Sequence, residues 1–171
     1  YLDLLGTLHD DLQPRRYLEI GIRKGASLAL AVCESHAVDP AYEIERSVAP
    51  AHTLYRTTSD TFFADPAHAR VLAPGFDLIF IDGMHLCEYA LRDLVNALAT
   101  ARPGTVIVID DIFPSSAAMA ARVRATSAWT GDVWKLVPAV QQACPDVLVV
   151  GVDTRPTGLL LLVVPATPTD V

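Results

Sequence analysis

The stretch FDLIFIDGMH, residues 76–85, joins an apolar run to a polar turn that contains Asp82 and His85. A second apolar run, Thr105–Ile109, is followed in the same way by Asp110 and Asp111. Ligands of open α/β sheets bind outside the carboxyl ends of the strands, so acids that follow two successive strands lie close together. We therefore predict that these three carboxylates and one imidazole form a site at one edge of a sheet.

Composition restricts the class of protein. The chain has 171 residues, enough for one domain with a sizeable core, and we assign residues 1–171 to a single domain. Its net charge of -7 argues against a nucleic-acid binder, which needs clustered Lys and Arg. No apolar run is long enough to cross a bilayer, so we expect no membrane span. The three cysteines fit neither a disulfide framework nor a zinc motif, which favours the cytoplasm. The chain begins at Tyr1 within a helix-like pattern, so an N-terminal segment before it is left open.

The remaining sequence alternates between strand and helix patterns. The seven predicted strands are Tyr17–Ile20, Ala37–Pro40 with its turn, Thr53–Thr58, Phe76–Ile81, Thr105–Ile109, Val147–Val152 and Leu159–Val164. The predicted helices are Ala26–Cys33, His85–Thr100, Pro114–Ala125 and Val137–Ala143. The link between the last two strands is too short for a parallel crossover, which needs about a dozen residues. We therefore predict an α/β fold with a doubly wound, mostly parallel sheet whose last strand is antiparallel.

A glycine-bounded turn follows the first predicted strand. Glu19, Gly21 and Gly25 surround it, and such glycines let the backbone approach a ligand and direct helix N–H groups at an anion. The same glycines are equally typical of a βα turn that binds nothing. Asp39 ends the second strand, where related folds hold ribose hydroxyls, since a carboxylate accepts two hydrogen bonds from a diol. Together the turn and the acid predict a nucleoside ligand.

Four motifs together resemble the class I S-adenosylmethionine-dependent methyltransferases, and within them the small metal-assisted O-methyltransferases of the macrocin type. In the order of that family, the motifs are Glu19–Ser27, Val38–Pro40, Ile81–His85 and Ile109–Asp111. The resemblance implies a Rossmann-like sheet with a reversed last strand. It also implies S-adenosylmethionine as cofactor, Mg²⁺ as an assisting ion and a hydroxyl group as the methyl acceptor.

The resemblance further implies a role for individual residues. The cofactor-binding residues would be Glu19, Gly21, Gly25, Ser27, Asp39, Ser59, Asp60 and Asp82. Asp82, Asp110 and Asp111 would hold Mg²⁺, which favours carboxylates and would lower the pKa of the acceptor hydroxyl. His85 would be the general base, since an imidazole titrates near neutral pH.

Structural alternatives exist for the same residues. Asp82 and Asp111 could be strand-end or helix-capping residues, and Asp110 and Asp111 could orient the cofactor or substrate without binding a metal. His85 could be a satisfied residue at the start of a helix. The segment Trp129–Trp134, which contains both tryptophans, is either an acceptor-binding loop or a packing plug and dimer contact.

The function predicted from these residues is methyl transfer from S-adenosylmethionine to a hydroxyl of a small polyhydroxy compound, a sugar or a glycosylated natural product. One alternative is a non-catalytic domain that binds cofactor or partner within a larger protein. Another is an NAD-dependent oxidoreductase, which the glycine spacing and the reversed last strand disfavour. A homo-oligomer is left open by the sequence.

Overall fold

Seven strands form one mixed sheet in the computed structural model, which describes residues 1–165. The strands are β1 Arg16–Ile20, β2 Glu34–Val38, β3 His52–Tyr55, β4 Phe76–Ile81, β5 Ala101–Ile109, β6 Leu148–Val152 and β7 Leu159–Val163. Their order across the sheet is β3-β2-β1-β4-β5-β7-β6. Neighbouring strands are parallel except that β7 runs antiparallel to β5 and β6. The predicted α/β fold with a reversed last strand is confirmed.

Helices cover both faces of the sheet. They are α1 Leu2–Leu12, α2 Ser59–Ala64, α3 Ala69–Leu72, α4 Cys87–Ala99 and α5 Leu136–Ala143. Leu94 of α4 and Leu136 of α5 belong to the apolar cluster on one face, and Leu5 of α1 belongs to the cluster on the other. Strand β4 contributes to both, with Ile79 in the first cluster and Leu78 in the second, because successive strand residues point to opposite faces.

The order of the strands reverses between β1 and β4. From β1 the chain first builds outward through β2 and β3, and then returns to place β4 and β5 on the opposite side. Ligands of doubly wound sheets bind at the carboxyl ends of the strands where this reversal occurs. The turns that follow β1, β2, β4 and β5 at this edge contain most of the predicted site residues.

The helix predicted over Ala26–Cys33 is wrong. Only Leu28–Leu30 form a single 3₁₀ turn, and the backbone is extended from Ala31 onward. Leu28 and Ala31 are buried, but Val32 is 88% exposed. The segment therefore has no continuous apolar face that could stabilise a longer helix against the sheet.

The helix predicted over Pro114–Ala125 is also wrong, because this segment forms bends and turns. Met119 is its one buried residue, whereas Val123 is 79% exposed. Short helices gain most of their stability from packing an apolar face, and this segment has little to pack. The two other predicted helices are confirmed as α4 and α5.

The third strand is shorter than predicted. Strand β3 ends at Tyr55, and Ser59 and Asp60 are the first residues of α2. The Thr58 side chain caps this helix by accepting the N–H of Thr61.

No helix within residues 1–165 is long and apolar enough to cross a membrane.

Candidate active site

A cavity of about 410 Å³, called the main cavity below, opens at the edge where the strand order reverses. It lies beside the ends of β1, β2 and β4 and the first turns of α2 and α4. The sequence-predicted residues that line it are Gly21, Asp39, Ser59, Asp60, Asp82 and His85. Six of the fourteen residues that line this cavity are thus among those that the sequence analysis proposed for a site.

The turn after β1 lies so close to the ends of β2 and β4 that position 21 requires a glycine. Its φ is +90°, and a Cβ at this position would lie 2.0 Å from the carbonyl oxygen of Asp82. Its N–H donates to the carbonyl oxygen of Val38 at the end of β2. The residue therefore lets the turn after β1 lie against the ends of β2 and β4, at the entrance to the main cavity.

Glu19 and Ser27 do not line the main cavity. The Glu19 carboxyl group is fully buried, and it accepts hydrogen bonds from the Ser27 hydroxyl at 2.6 Å and the Tyr17 hydroxyl at 2.8 Å. Burial raises the pKa of Glu19 to about 8, although these two hydrogen bonds oppose the shift. Gly25, with a φ of +78°, packs against the Ile44 side chain and is likewise absent from the lining. These residues support the turn from beneath.

The Asp39 carboxylate ties the glycine turn to β2. Its Oδ2 accepts the backbone N–H groups of Ile22 and Arg23, both at 2.9 Å, and its Oδ1 accepts the N–H of Ala41 at 2.7 Å. A carboxylate offers about four acceptor positions, so one remains for a ligand. Asp39 therefore has a structural role in the turn and also faces the cavity.

Ser59 and Asp60 stand at the start of α2 on the far wall of the cavity. The Asp60 carboxylate receives two hydrogen bonds from the Arg92 guanidinium, at 3.0 and 2.9 Å. Both side chains are 46% exposed, so this pair is a solvated one. It joins α2 to α4 across the outer side of the cavity.

His85 lies between two carboxylates, and we call Asp82, His85 and Asp111 the acid–histidine cluster. The His85 Nδ1 is 2.7 Å from Asp111 Oδ2 and 2.6 Å from the carbonyl oxygen of Trp129. Its Nε2 is 3.6 Å from Asp82 Oδ1. Both neighbours of Nδ1 only accept hydrogen bonds, so Nδ1 holds a proton. The Trp129 ring stacks on the imidazole at a centroid distance of 5.1 Å.

These contacts determine the protonation of His85. Burial disfavours the imidazolium, but the hydrogen bonds and charges of Asp111 and Asp82 outweigh it and raise the pKa of His85 to about 10. In this arrangement, without a metal, the ring is a cation at neutral pH. A base role therefore requires that its pairing with the carboxylates be weakened first.

Asp110 and Asp111 point to different partners. Asp111 has a φ of +70°, a conformation that aspartate tolerates better than most residues, and its side chain reaches His85. The Asp110 Oδ1 instead accepts the N–H of Asp111 at 2.7 Å and the Thr157 hydroxyl at 2.9 Å. Burial, together with the nearby Asp82 and Asp111, raises the pKa of Asp110 to about 7.

The potential metal ligands differ from the predicted set. One ligand atom from each member of the acid–histidine cluster lies within 4.8 Å of the others, whereas Asp110 does not belong to this group. Two carboxylates and an imidazole on two neighbouring turns, the one after β4 and the one after β5, can hold a divalent cation, so the residues fit the ion that the sequence analysis inferred. His85 replaces Asp110 as the third candidate ligand.

A family model described as a methyltransferase domain matches residues 18–112, more than half of the chain. The chain belongs to this methyltransferase family. The matched residues of this methyltransferase include most of β1, all of β2 to β5, the lining of the main cavity and the whole acid–histidine cluster. The predicted kinship with class I methyltransferases is confirmed, and the oxidoreductase alternative is wrong. No curated protein sequence matches the chain.

Solved structures share the fold of this methyltransferase. A Klebsiella pneumoniae protein proposed to be an O-methyltransferase has 20% identity and a TM-score of 0.71, over 96% of this chain and 80% of that one. A Bacillus cereus O-methyltransferase in complex with SAH has 18% identity and a TM-score of 0.70, over 95% and 80%. TomG of Streptomyces achromogenes, involved in tomaymycin synthesis and solved with SAM, has 21% identity and a TM-score of 0.69, over 96% and 79%.

Asp93 and Trp129 are two of the residues near the candidate site that the sequence analysis did not propose. Asp93 lines the main cavity, and a signal for it exists, because it shares the buried side of α4 with Ala90 and Ala97. An acid on an apolar helix face is unusual. Trp129 was noted only as part of an aromatic segment, and its stacking on His85, 44 positions away in the sequence, has no local signal.

Proposed function

We propose that this methyltransferase transfers the methyl group of S-adenosylmethionine to a hydroxyl group of a small molecule. The observation that supports this most is that Asp82 and His85 belong both to the main cavity and to the acid–histidine cluster. A cofactor in the cavity would have its reactive end beside groups that hold and exchange a proton. The fold shared with O-methyltransferases, two of them solved with SAM or SAH, supports the same assignment.

Within the cavity we assign each cofactor group to a wall. The turn at Gly21 would bind the methionine end, with Glu19 holding that turn from beneath. The free acceptor position of Asp39 would take a ribose hydroxyl. Ser59 and Asp60 would lie at the adenine end, on the wall formed by α2.

The acceptor hydroxyl must lose its proton as it attacks the sulfonium methyl group. We propose that the acceptor, on binding, draws the carboxylates of Asp82 and Asp111 away from the imidazolium, which then releases its Nε2 proton to solvent. The neutral His85 afterwards receives the proton of the acceptor hydroxyl at Nε2. Without that change, its pKa of about 10 keeps it protonated at neutral pH. The stacked Trp129 ring and carbonyl fix the orientation of the imidazole during this exchange.

We propose a divalent cation as the second way to activate the hydroxyl. Asp82, His85 and Asp111 would hold it, with His85 then a ligand and not the base. When bound, such an ion lowers the pKa of a coordinated hydroxyl. Carboxylates favour Mg²⁺, whereas the imidazole nitrogen also suits transition metals, so both kinds of ion need testing.

For the acceptor we propose a small polyhydroxy or glycosylated compound. Met84 and Tyr89 line the main cavity and are 54% and 37% exposed, which gives its rim apolar surfaces suited to a ring. TomG, which shares the fold, is involved in tomaymycin synthesis. We place the enzyme in the reducing cytoplasm, since Cys33, Cys87 and Cys144 are unpaired.

Titration calorimetry with S-adenosylmethionine tests the cofactor, in EDTA and then with Mg²⁺, Mn²⁺ or Zn²⁺. Micromolar binding is expected, and NADH should not compete. Methyl transfer from labelled cofactor to a panel of sugars and hydroxylated natural products then tests the reaction. A folded protein that does not bind the cofactor would overturn the proposal. Cofactor binding with no transfer to any acceptor would favour the non-catalytic alternative, and full activity in EDTA would remove the cation.

A further inference from the structure

Asp93 is an acid in the wall of the main cavity that no step above uses. It lies on α4, its residue is 3% exposed, and it packs beneath Gly83. Its Oδ1 atom is fully buried and has no hydrogen-bond partner among residues 1–165. A buried acceptor without a donor costs about 1–3 kcal/mol, so natural proteins rarely leave one unexplained.

The protein groups around Asp93 do not supply a donor to its Oδ1 atom within residues 1–165. Burial raises the pKa of Asp93 to about 6, and the hydrogen bond from the Ser59 side chain opposes this shift only in part. The nearest charged neighbours, Asp60 and Arg92, are paired with each other at the protein surface. Because Asp93 lines the main cavity, a ligand bound there can supply an N–H group to this carboxylate.

The position of Asp93 selects one part of the proposed cofactor. The sulfonium must lie near the acid–histidine cluster for methyl transfer, and the ribose is assigned to Asp39. The adenine ring is then left for the wall formed by α2 and α4, where Ser59 and Asp93 lie side by side. The exocyclic amino group of adenine is the donor that the cofactor has at this end.

We propose that Asp93 accepts a hydrogen bond from the exocyclic amino group of the cofactor's adenine and thereby selects adenine over hypoxanthine. An ionised carboxylate only accepts hydrogen bonds. It would therefore pair with the amino group of adenine and repel the carbonyl oxygen that hypoxanthine has in its place. Asp93 is a specificity residue in this assignment, and the inference rests on the proposed function.

The experiment compares S-adenosylhomocysteine with its deaminated analogue, S-inosylhomocysteine, by titration calorimetry at pH 8. The wild-type protein should bind the adenosine compound at least about tenfold more tightly, the effect of one hydrogen bond to a charged group. Asp93→Asn should reduce this ratio to about threefold or less, because an amide can donate to the hypoxanthine carbonyl. Glu88→Gln is the matched control, an acid-to-amide change on the same helix outside the cavity, and should keep the wild-type ratio.

The outcomes separate this inference from the proposed function. A wild-type protein that binds neither compound overturns both. Tight binding of S-adenosylhomocysteine with no preference over the inosine analogue overturns the inference alone, even if Asp93→Asn fails to fold. The inference is also overturned if Asp93→Asn keeps the wild-type ratio of the two affinities, or if it weakens the binding of both compounds equally. Either result means that Asp93 does not contact the adenine ring.

Discussion

Asp39 combines a structural and a proposed binding role in one carboxylate. Removing it in Asp39→Ala leaves the N–H groups of Ile22, Arg23 and Ala41 without their acceptor, and the ribose without its partner. We expect the affinity for S-adenosylhomocysteine to fall at least about tenfold and the free energy of unfolding to fall by about 1–3 kcal/mol. Calorimetry and urea denaturation measure the two effects.

The two roles of Asp39 can be separated with Asp39→Asn. The amide keeps acceptor capacity on one oxygen, so it should preserve more of the stability than of the affinity. If Asp39→Ala lowers stability but leaves the affinity unchanged, Asp39 only holds the turn and the ribose assignment is wrong.

His85 should make the stability of the protein depend on pH. Its folded pKa of about 10 lies above the usual value of about 6.5, so its contribution is complete below pH 6.5 and disappears as the pH rises through 10. In EDTA, His85→Gln should therefore lower the free energy of unfolding by at least about 1 kcal/mol at pH 6. This difference from the wild-type protein should shrink steadily toward pH 10.

Urea denaturation of both proteins across this range measures the difference. His68→Gln is the control, since the His68 Nδ1 faces the carbonyl oxygen of Phe62 and no carboxylate of the described residues 1–165 forms an ion pair with it. If the free energy of unfolding of His85→Gln differs from that of the wild-type protein by the same amount at every pH, Asp82 and Asp111 do not pair with the imidazolium in solution.

Individual residues show why the sequence predicted the location of the site better than its contacts. Asp82 and Asp39 follow strands, and the ends of strands in an α/β sheet converge at a known edge. Glu19 follows the same rule, yet it is buried and bonded to Tyr17 and Ser27. Whether an acid faces a cavity or the core depends on packing between distant segments, which no local pattern contains.

At the scale of elements, the segment from Trp129 to Trp134 packs against the turn that contains His85. Gly131 has a φ of +54°, and a Cβ there would lie 1.7 Å from the carbonyl oxygen of His85. Trp129 stacks on the imidazole, whereas Trp134 is 41% exposed and outside the main cavity. The segment is thus a packing element that also touches the acid–histidine cluster.

Gly131→Ala tests this packing. Gly104→Ala is its matched control, because Gly104 has a φ of +86° but no atom of residues 1–165 lies within 4 Å of an added Cβ. Both alanines adopt a left-handed conformation that costs about 1–2 kcal/mol. Gly131→Ala should cost at least about 2 kcal/mol more than Gly104→Ala in denaturant unfolding, because of its steric contact. Equal losses would show that the segment does not press on His85.

Asp132 joins the same segment to α4. Its Oδ1 accepts the N–H of Cys87 at 2.8 Å, and its Oδ2 accepts from Arg122 at 2.8 Å and Lys135 at 2.9 Å. Burial would raise its pKa, but these three donors outweigh it and lower the pKa of Asp132 to about 2. The charged carboxylate is therefore the stable form over most of the pH range.

Asp132→Asn should accordingly lower the free energy of unfolding by about 1–3 kcal/mol at pH 7. Because the pKa of Asp132 is lower in the folded state, its contribution to stability is present above about pH 4 and is lost as the pH falls through 2. The difference in free energy of unfolding between the wild-type protein and Asp132→Asn should therefore shrink in acid. Glu88→Gln removes the other partner of Arg122 at an exposed position and should cost less. A loss no larger than that of Glu88→Gln would show that Asp132 does not join the two elements.

Strands were more predictable than helices for a physical reason. Strand β4 is apolar along nearly its whole length because both of its faces are covered, and that pattern is visible in the sequence. The segments 26–33 and 114–125 have helix-forming composition, but in the structure they form a 3₁₀ turn and a series of bends, and they pack few of their apolar side chains against the sheet. Val32 and Val123 are largely exposed in the structure, and composition alone does not reveal this.

For the whole molecule, the main cavity belongs to one part of the sheet. Its lining comes from the last residue of β1, the turns that follow β1, β2 and β4, and the helices α2 and α4 with the N-cap of α2, whereas β5, β6 and β7 do not contribute. Strand β7 is nevertheless bonded on both sides, to β5 and to β6, and Leu160 and Leu162 belong to the same apolar cluster as Leu94 of α4. This shared core predicts that the two parts unfold together.

Hydrogen exchange can test that coupling with S-adenosylhomocysteine. A ligand that binds only the folded state at 100 times its Kd adds about 2.7 kcal/mol of stability, equal to about 100-fold slower exchange through global unfolding. If the sheet is one cooperative unit, the amides of Leu160 and Leu162 should slow as much as those of Leu18 and Ile20 in β1, next to the cavity. Slowing confined to β1 would show instead that the β6–β7 hairpin opens by itself, so that cofactor binding stabilises only the half of the sheet that contacts it.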